Sequence, residues 1–136
     1  MSWDIFVQDL PKGAKTITDI PRDFKPMNLN LKRDEIIKII TEVFPKADFK
    51  DKTWGRLDGD DFSIEINLGD KEYVDGFALH VRGSNSAVPI VDKILHRLGV
   101  RAVSSGSDII LDGSIPNGGF EVWEKYKNEV TTNPKD

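Results

Sequence analysis

Between residues 53 and 83, apolar and polar positions alternate with period two in three runs separated by turn residues. Side chains of a strand point alternately to its two faces. Phe62, Ile64, Ile66 and Leu68 therefore share one side, and Ser63, Glu65 and Asn67 the other. In the run 77–82, Phe77, Leu79 and Val81 take the apolar side, while Ala78, His80 and Arg82 take the polar side. The connection 69–76 makes these two runs antiparallel neighbours. Matching their faces sets the parity of the register, because a one-residue slip would turn every side chain over. The simplest register puts Leu68 opposite Phe77, Glu65 opposite His80 and Ser63 opposite Arg82. Asp58-Gly59 is a hairpin signal leading back to the run that starts at Trp54. With Leu57 facing Phe62, Trp54 falls beside Glu65 and Arg56 beside Ser63.

Elsewhere the period changes to that of a helix. Residues 33–44 place Ile36, Ile40, Val43 and Phe44 at helical spacing, widened by Ile37 and Ile39, and Pro45 stops the helix. Residues 87–98 repeat the pattern through Ile90, Val91, Ile94, Leu95 and Leu98. Asn85 or Ser86 is expected to cap this helix, with Pro89 in its first turn and Gly99 at its end. Residues 3–9 read as a first strand, apolar on the side of Trp3, Ile5 and Val7 and mixed on the side of Asp4, Phe6 and Gln8. Residues 10–30 hold three prolines and read as a long irregular connection. Its apolar residues Ile17, Ile20, Phe24 and Met27 are expected to anchor it to the body. Short strands are expected at 100–103 and 109–111. A last amphipathic helix over 120–130 would bury Phe120 and Trp123, and residues 131–136 would fray. Successive strands joined by short turns predict an α+β fold, a two-layer sandwich of a largely antiparallel sheet with two or three helices.

At 136 residues the chain reads as a single domain over 1–136, with its ordered core at about 2–130. A net charge of −4 disfavours a general nucleic-acid binder, which carries a basic excess. The absence of cysteine excludes disulfides, thiolate metal sites and a cysteine nucleophile. The opening MSWDIFVQD has no apolar run of the kind a signal peptide needs, and no stretch approaches the ~18 apolar residues of a membrane span. A cytoplasmic location is therefore expected, without a membrane. The segments MSWDIFVQDLP, IPRDFKP, FPKADF, WGRLDGDDFSIEINLG and FALHVRG cover most of residues 1–83. In these the chain resembles a family of small bacterial cytosolic proteins, itself uncharacterised, whose members begin like MSWDIFVQD. The resemblance implies a bacterial, intracellular, single-domain protein, and it transfers no site residue.

The candidate chemistry lies on the polar side of the central strands, where Trp54, Arg56, Glu65, His80 and Arg82 gather. A carboxylate beside a histidine can orient the ring for acid–base work, arginine can hold an anion, and tryptophan can stack. The same residues also make a solvated sheet face laced with cross-strand ion pairs. Asp58-Gly59-Asp60-Asp61 fails as a calcium loop, because the twelfth position from Asp58 is Gly69 and not glutamate. GSNSA and SSGSD do not fit a G-x-S-x-G elbow and read as a helix cap and a turn. No phosphate-binding glycine motif is present, and two separated histidines are weak grounds for zinc, so no metal and no cofactor are expected. Lys93, His96, Arg97 and Arg101 form a small basic patch that also complements the end of the second helix.

Three functions follow. The preferred one is a non-enzymatic protein-binding or regulatory module, with a protein partner or a homo-oligomer on the polar face. The alternative is a small-ligand-binding domain or hydrolase centred on Glu65 and His80. The third is anion or nucleic-acid binding through the basic patch.

Overall fold

A computed structural model describes residues 2–105 and 108–113. The strands are β1 (Trp3–Gln8), β2 (Leu31–Lys32), β3 (Asp48–Asp51), β4 (Trp54–Asp58), β5 (Phe62–Asn67), β6 (Tyr73–Val74), β7 (Gly76–Gly83) and β8 (Ala102–Ser104). The helices are α1 (Arg33–Val43) and α2 (Val88–Leu98), with 3-10 turns at Ile17–Asp19 and Asn85–Ala87. Six strands form one sheet in the order β3-β4-β5-β7-β1-β8, and each neighbouring pair is antiparallel. β2 and β6 make a separate two-stranded ribbon. The molecule is thus α+β, with a mostly antiparallel sheet and two described helices.

The central register is the one that face-matching predicts. Glu65 lies opposite His80 and Ser63 opposite Arg82. The β4–β5 pairing differs from expectation by two residues. Leu57 faces Ile64, so Arg56 lies opposite Glu65 and Trp54 opposite Asn67. The turn explains the shift. The Gly59 amide donates to the Phe62 carbonyl, closing the hairpin one residue further along each strand. The Phe62 ring lies where a Cβ on Gly59 would be, so a larger residue there would have to displace the ring. A two-residue shift keeps each side chain on its face, and the polar set survives it.

The core sits on the apolar side of the sheet. Trp3, Ile5 and Val7 of β1, Ile64 and Ile66 of β5, and Leu79 and Val81 of β7 form one cluster with residues of both helices. α1 contributes Ile36 and Ile40, both fully buried. Val43, expected in the same stripe, is only half-buried. α2 buries Val88, Val91, Ile94, Leu95 and Leu98, while Ile90 is half-buried. Neither Asn85 nor Ser86 caps it as expected: its own N-cap is Ala87, without a side-chain bond, and the cap that forms belongs to the turn before it. The Ser84 hydroxyl accepts from the Ser86 amide and starts the short 3-10 turn that runs into α2. Gly99 ends α2 in the left-handed conformation at φ 66°, which glycine adopts without a Cβ penalty.

Residues 10–30 are tied down by different atoms from those expected. Of the four expected anchors, Ile17 and Met27 are exposed and Ile20 and Phe24 half-buried, while Leu10 is buried and Leu29 packs against the core. The main anchor is the Arg101 guanidinium, which donates to the carbonyls of Leu10, Pro11 and Ala14. Backbone bonds from Ile17 to Asp108 and from Ile110 to Lys15 add a second seam. The strands expected at 100–103 and 109–111 are shorter in fact. β8 spans Ala102–Ser104, and Leu111 makes one bridge back to Ala102. The expected helix over 120–130 and the fraying end 131–136 lie outside the described residues. Among the described residues no helix is long and apolar enough to cross a membrane.

Candidate functional site

Alternation along β4, β5, β7 and β1 sends one set of side chains away from the core. Registered pairing then lines these up in rows across the sheet. One row runs Arg56, Glu65, His80, Asp4, each opposite the next on the neighbouring strand. A second runs Trp54, Asn67, Ala78, Phe6. A third holds Asp58, Ser63 and Arg82. The five candidate residues of the sequence are thus neighbours on one face.

Their partnerships differ from those expected. His80 Nδ1 lies 2.8 Å from Asp4 Oδ1, whereas Glu65 accepts from Arg82 at 3.2 Å. Arg56 NH1 approaches the same Glu65 oxygen at 3.8 Å, while its Nε lies 2.9 Å and 3.0 Å from the two carboxylate oxygens of Asp58. Two arginines therefore compete for Glu65, and the histidine turns to the strand on its other side. Asp4 is the member of this cluster that sequence reasoning missed. Its signal was the mixed second face of β1, but nothing along the chain states which strand β1 will join.

Asp4 is held as a carboxylate. Partial burial pushes its carboxyl up, but the hydrogen bonds from the His80 ring and the Ser2 hydroxyl, with the nearby cationic charge including Arg82, outweigh this and lower it below its ordinary value. A carboxylate can only accept, so His80 Nδ1 carries the proton in this pair. Ser105 Oγ accepts from the Asp4 amide and fixes the backbone beneath. On its other side His80 stacks on Trp54, with ring centroids 6.2 Å apart and planes inclined by 22°. The imidazole is thus oriented by a carboxylate on one strand and an indole on another.

The face is open. Trp54 is 40% and Phe6 44% exposed, and the arginine side chains are about half exposed. A shallow hollow of about 490 Å³ lies beside Phe6, Asn67 and Ala78, walled by Pro26 and Asp75. A larger cavity of about 880 Å³ lies between α1 and α2. Neither hollow is lined by His80 or Glu65.

The basic patch loses one of its four members. Arg101 is turned to the carbonyls of the N-terminal loop, and Arg97 meets Glu42 at 3.4 Å. Lys93, His96 and Arg97 all line the larger cavity, with Glu42 and Asp92 beside them. The acidic turn is likewise structural: Asp61 accepts from the Ser86 hydroxyl and its carbonyl from the Ser84 amide, so it holds the entry to α2. Among the described residues no group of three or more histidine, aspartate or glutamate side chains is placed to hold a metal. No protein-family model, curated protein or solved structure matches the chain.

Proposed function

We propose that this is a non-enzymatic binding module that holds a protein partner on the uncovered face of its sheet. This reading takes the fold as two layers, with the helices packed on the apolar side and Trp54, Phe6 and the two arginines of the other side left for the partner. The observation that carries it is the exposed indole of Trp54, held rigid against His80 in the middle of an ion-paired surface. Tryptophan and arginine dominate binding hot spots, because they offer large contact area and directional hydrogen bonds. A pre-stacked ring loses little freedom on binding. The arginines are matched to carboxylates, which suits a mixed-charge protein surface better than a polyphosphate.

Site-specific photo-crosslinkers at Phe6 and at Arg82 would test this in the source cell, with Lys38 on the exposed side of α1 as control. A partner should be captured from the two sheet positions and not from Lys38. Its affinity for a Trp54→Ala/Arg82→Ala double variant should fall by about 30-fold or more, the scale of a lost hot spot, with the circular dichroism unchanged. Equal capture at all three sites, or unchanged affinity, would overturn the proposal. Capture of the chain by itself would make the partner a second copy.

A further inference from the structure

The four inner strands of the sheet, β4, β5, β7 and β1, send six ionisable side chains outward: Arg56, Asp58, Glu65, His80, Arg82 and Asp4. Across the strands the first row runs Arg56, Glu65, His80, Asp4. With His80 protonated its signs alternate: plus, minus, plus, minus. Turned end for end, such a row is its own complement. Three of its members also keep an unused atom. Glu65 takes both arginines on Oε1, Asp4 takes Ser2 and His80 on Oδ1, and His80 is engaged through Nδ1. No hydrogen bond to a described residue uses Glu65 Oε2, Asp4 Oδ2 or His80 Nε2.

A two-fold axis parallel to the strands, midway between β5 and β7, performs that turn. It sets β4 over β1 of a second copy and β5 over its β7. Arg56 then meets Asp4 of the second copy, and Glu65 meets its His80, each contact made twice as in any isologous interface. The His80 ring comes to lie between two carboxylates, which favours its doubly protonated form. In the second row Trp54 meets Phe6 and Asn67 meets Ala78. In the third, Ser63 meets Arg82 and Asp58 meets the start of β1, so no like charges come together. β3 lies over β8 at the rim, where Asp48, Lys50 and Asp51 meet a strand that carries no charge. A two-fold across the strands fails on charge. Along the first row it sets Arg56 over Arg56. Beside that row it sets His80 over Arg82, or the charges over Trp54 and Phe6.

We infer that the partner of the sheet face is a second copy of this chain, seated by the two-fold between β5 and β7. This rests on the reading of the face as a protein-binding surface and names its occupant. Sheets packed face to face keep their strand directions within about 30° of each other, and an axis along the strands satisfies this. The matched patch spans three strand spacings, about 14 Å, by four residues along each strand, also about 14 Å. That is less than the roughly 800 Å² a standard interface buries on each partner, and the net charge of −4 on each copy repels the pair. The dimer is therefore weak, with a dissociation constant on the order of 100 µM.

Sedimentation of the full chain from about 10 µM to about 1 mM, a range that brackets this constant, should show monomer passing to dimer. Over the same range the amide NMR signals of β4, β5, β7 and β1 should shift, and those of α1 and α2 should not; this map needs no variant. Arg56→Glu and Asp4→Lys each bring like charges together twice, and each should weaken dimerisation about tenfold or more. An equimolar mixture of the two variants should recover to within about threefold of wild type. In that mixture the two substitutions face each other, and the unaltered Asp4 of one copy faces the unaltered Arg56 of the other. No effect inside a single chain can produce this recovery. A chain that stays monomeric at the highest concentration, shifts centred on the helices, or a mixture no tighter than its components would each overturn the inference. A monomer leaves the protein-binding reading standing if crosslinkers at Phe6 and Arg82 capture an unlike protein; capture of nothing there would overturn both.

Discussion

Asp4 and His80 form the most consequential pair on the surface, and their coupling has a direction in pH. The Asp4 carboxyl is lowered in the folded chain by its partners. As pH falls, the unfolded chain therefore takes up its proton first. The pair stabilises the fold fully above the ordinary carboxylate range of about pH 4, and the contribution is lost as pH falls through the lower folded value. Asp4→Asn should thus lower the urea midpoint at neutral pH, and the gap to wild type should close under acid. A gap that persists unchanged at pH 2–3 would show that Asp4 acts through packing and not through charge. A double-mutant cycle with His80→Gln separates this pair from the bond to Ser2. Asp92 runs the other way. Burial raises its carboxyl and the charge of Asp112 adds to it, so its ionised form opposes folding at neutral pH.

At the scale of the element, the two long helices are held by a few residues each. Ile40 is fully buried in α1 and belongs to the common core cluster. Ile40→Ala should cost about 2–5 kcal/mol, the range for deleting a large core side chain, read from chemical denaturation. A loss below about 0.5 kcal/mol would detach α1 from the core. Val43, half-buried at the edge of the inter-helix cavity, should cost less when cut back, and the contrast between the two positions tests the observed stripe. The elements themselves were largely readable along the chain, because period two and period 3.6 follow from backbone geometry alone. The exceptions are short pieces. β2 and β6 have two residues each, too few to show any period, and they exist only because they pair with one another. The cap expected for α2 at Asn85 or Ser86 does not form: α2 starts from Ala87 without a side-chain cap, and the serine cap, Ser84, belongs to the 3-10 turn before it.

For the whole molecule, Arg101 joins the two ends of the described chain. It donates to three carbonyls of residues 10–14 from its place just before β8. Arg101→Ala removes the side-chain donor from all three, leaving Pro11 only the Ala14 amide, and should cost roughly 2 kcal/mol. Arg101→Lys should not restore stability, because a single ammonium cannot reproduce the guanidinium fork. Both variants should be cut by trypsin at Lys12 or Lys15 faster than wild type under native conditions. Unchanged proteolysis would mean that the backbone seam to Asp108 and Ile110 holds the loop without the arginine.

Local sequence by itself determined which side of the sheet each residue of the central strands would take. Side chains alternate whatever the neighbours are, so Trp54, Arg56, Glu65, His80 and Arg82 had to share a face once the three runs paired. It determined the two helices and most of their buried stripes by the same kind of periodicity, though Val43 and Ile90 are only half-buried. Only the tertiary structure decided who meets whom within that face. A shift of two residues at Gly59 preserves every face and costs nothing in the pattern, yet it moves Arg56 onto Glu65. Strand order is likewise invisible in periodicity. β1 comes first in the chain but pairs between β7 and β8, and this brings Asp4, seventy-six positions away, into contact with His80. Arg101 read as part of a basic patch because sequence neighbours are close along a helix end. The fold turns it the other way, toward carbonyls that only a closed chain could bring within reach.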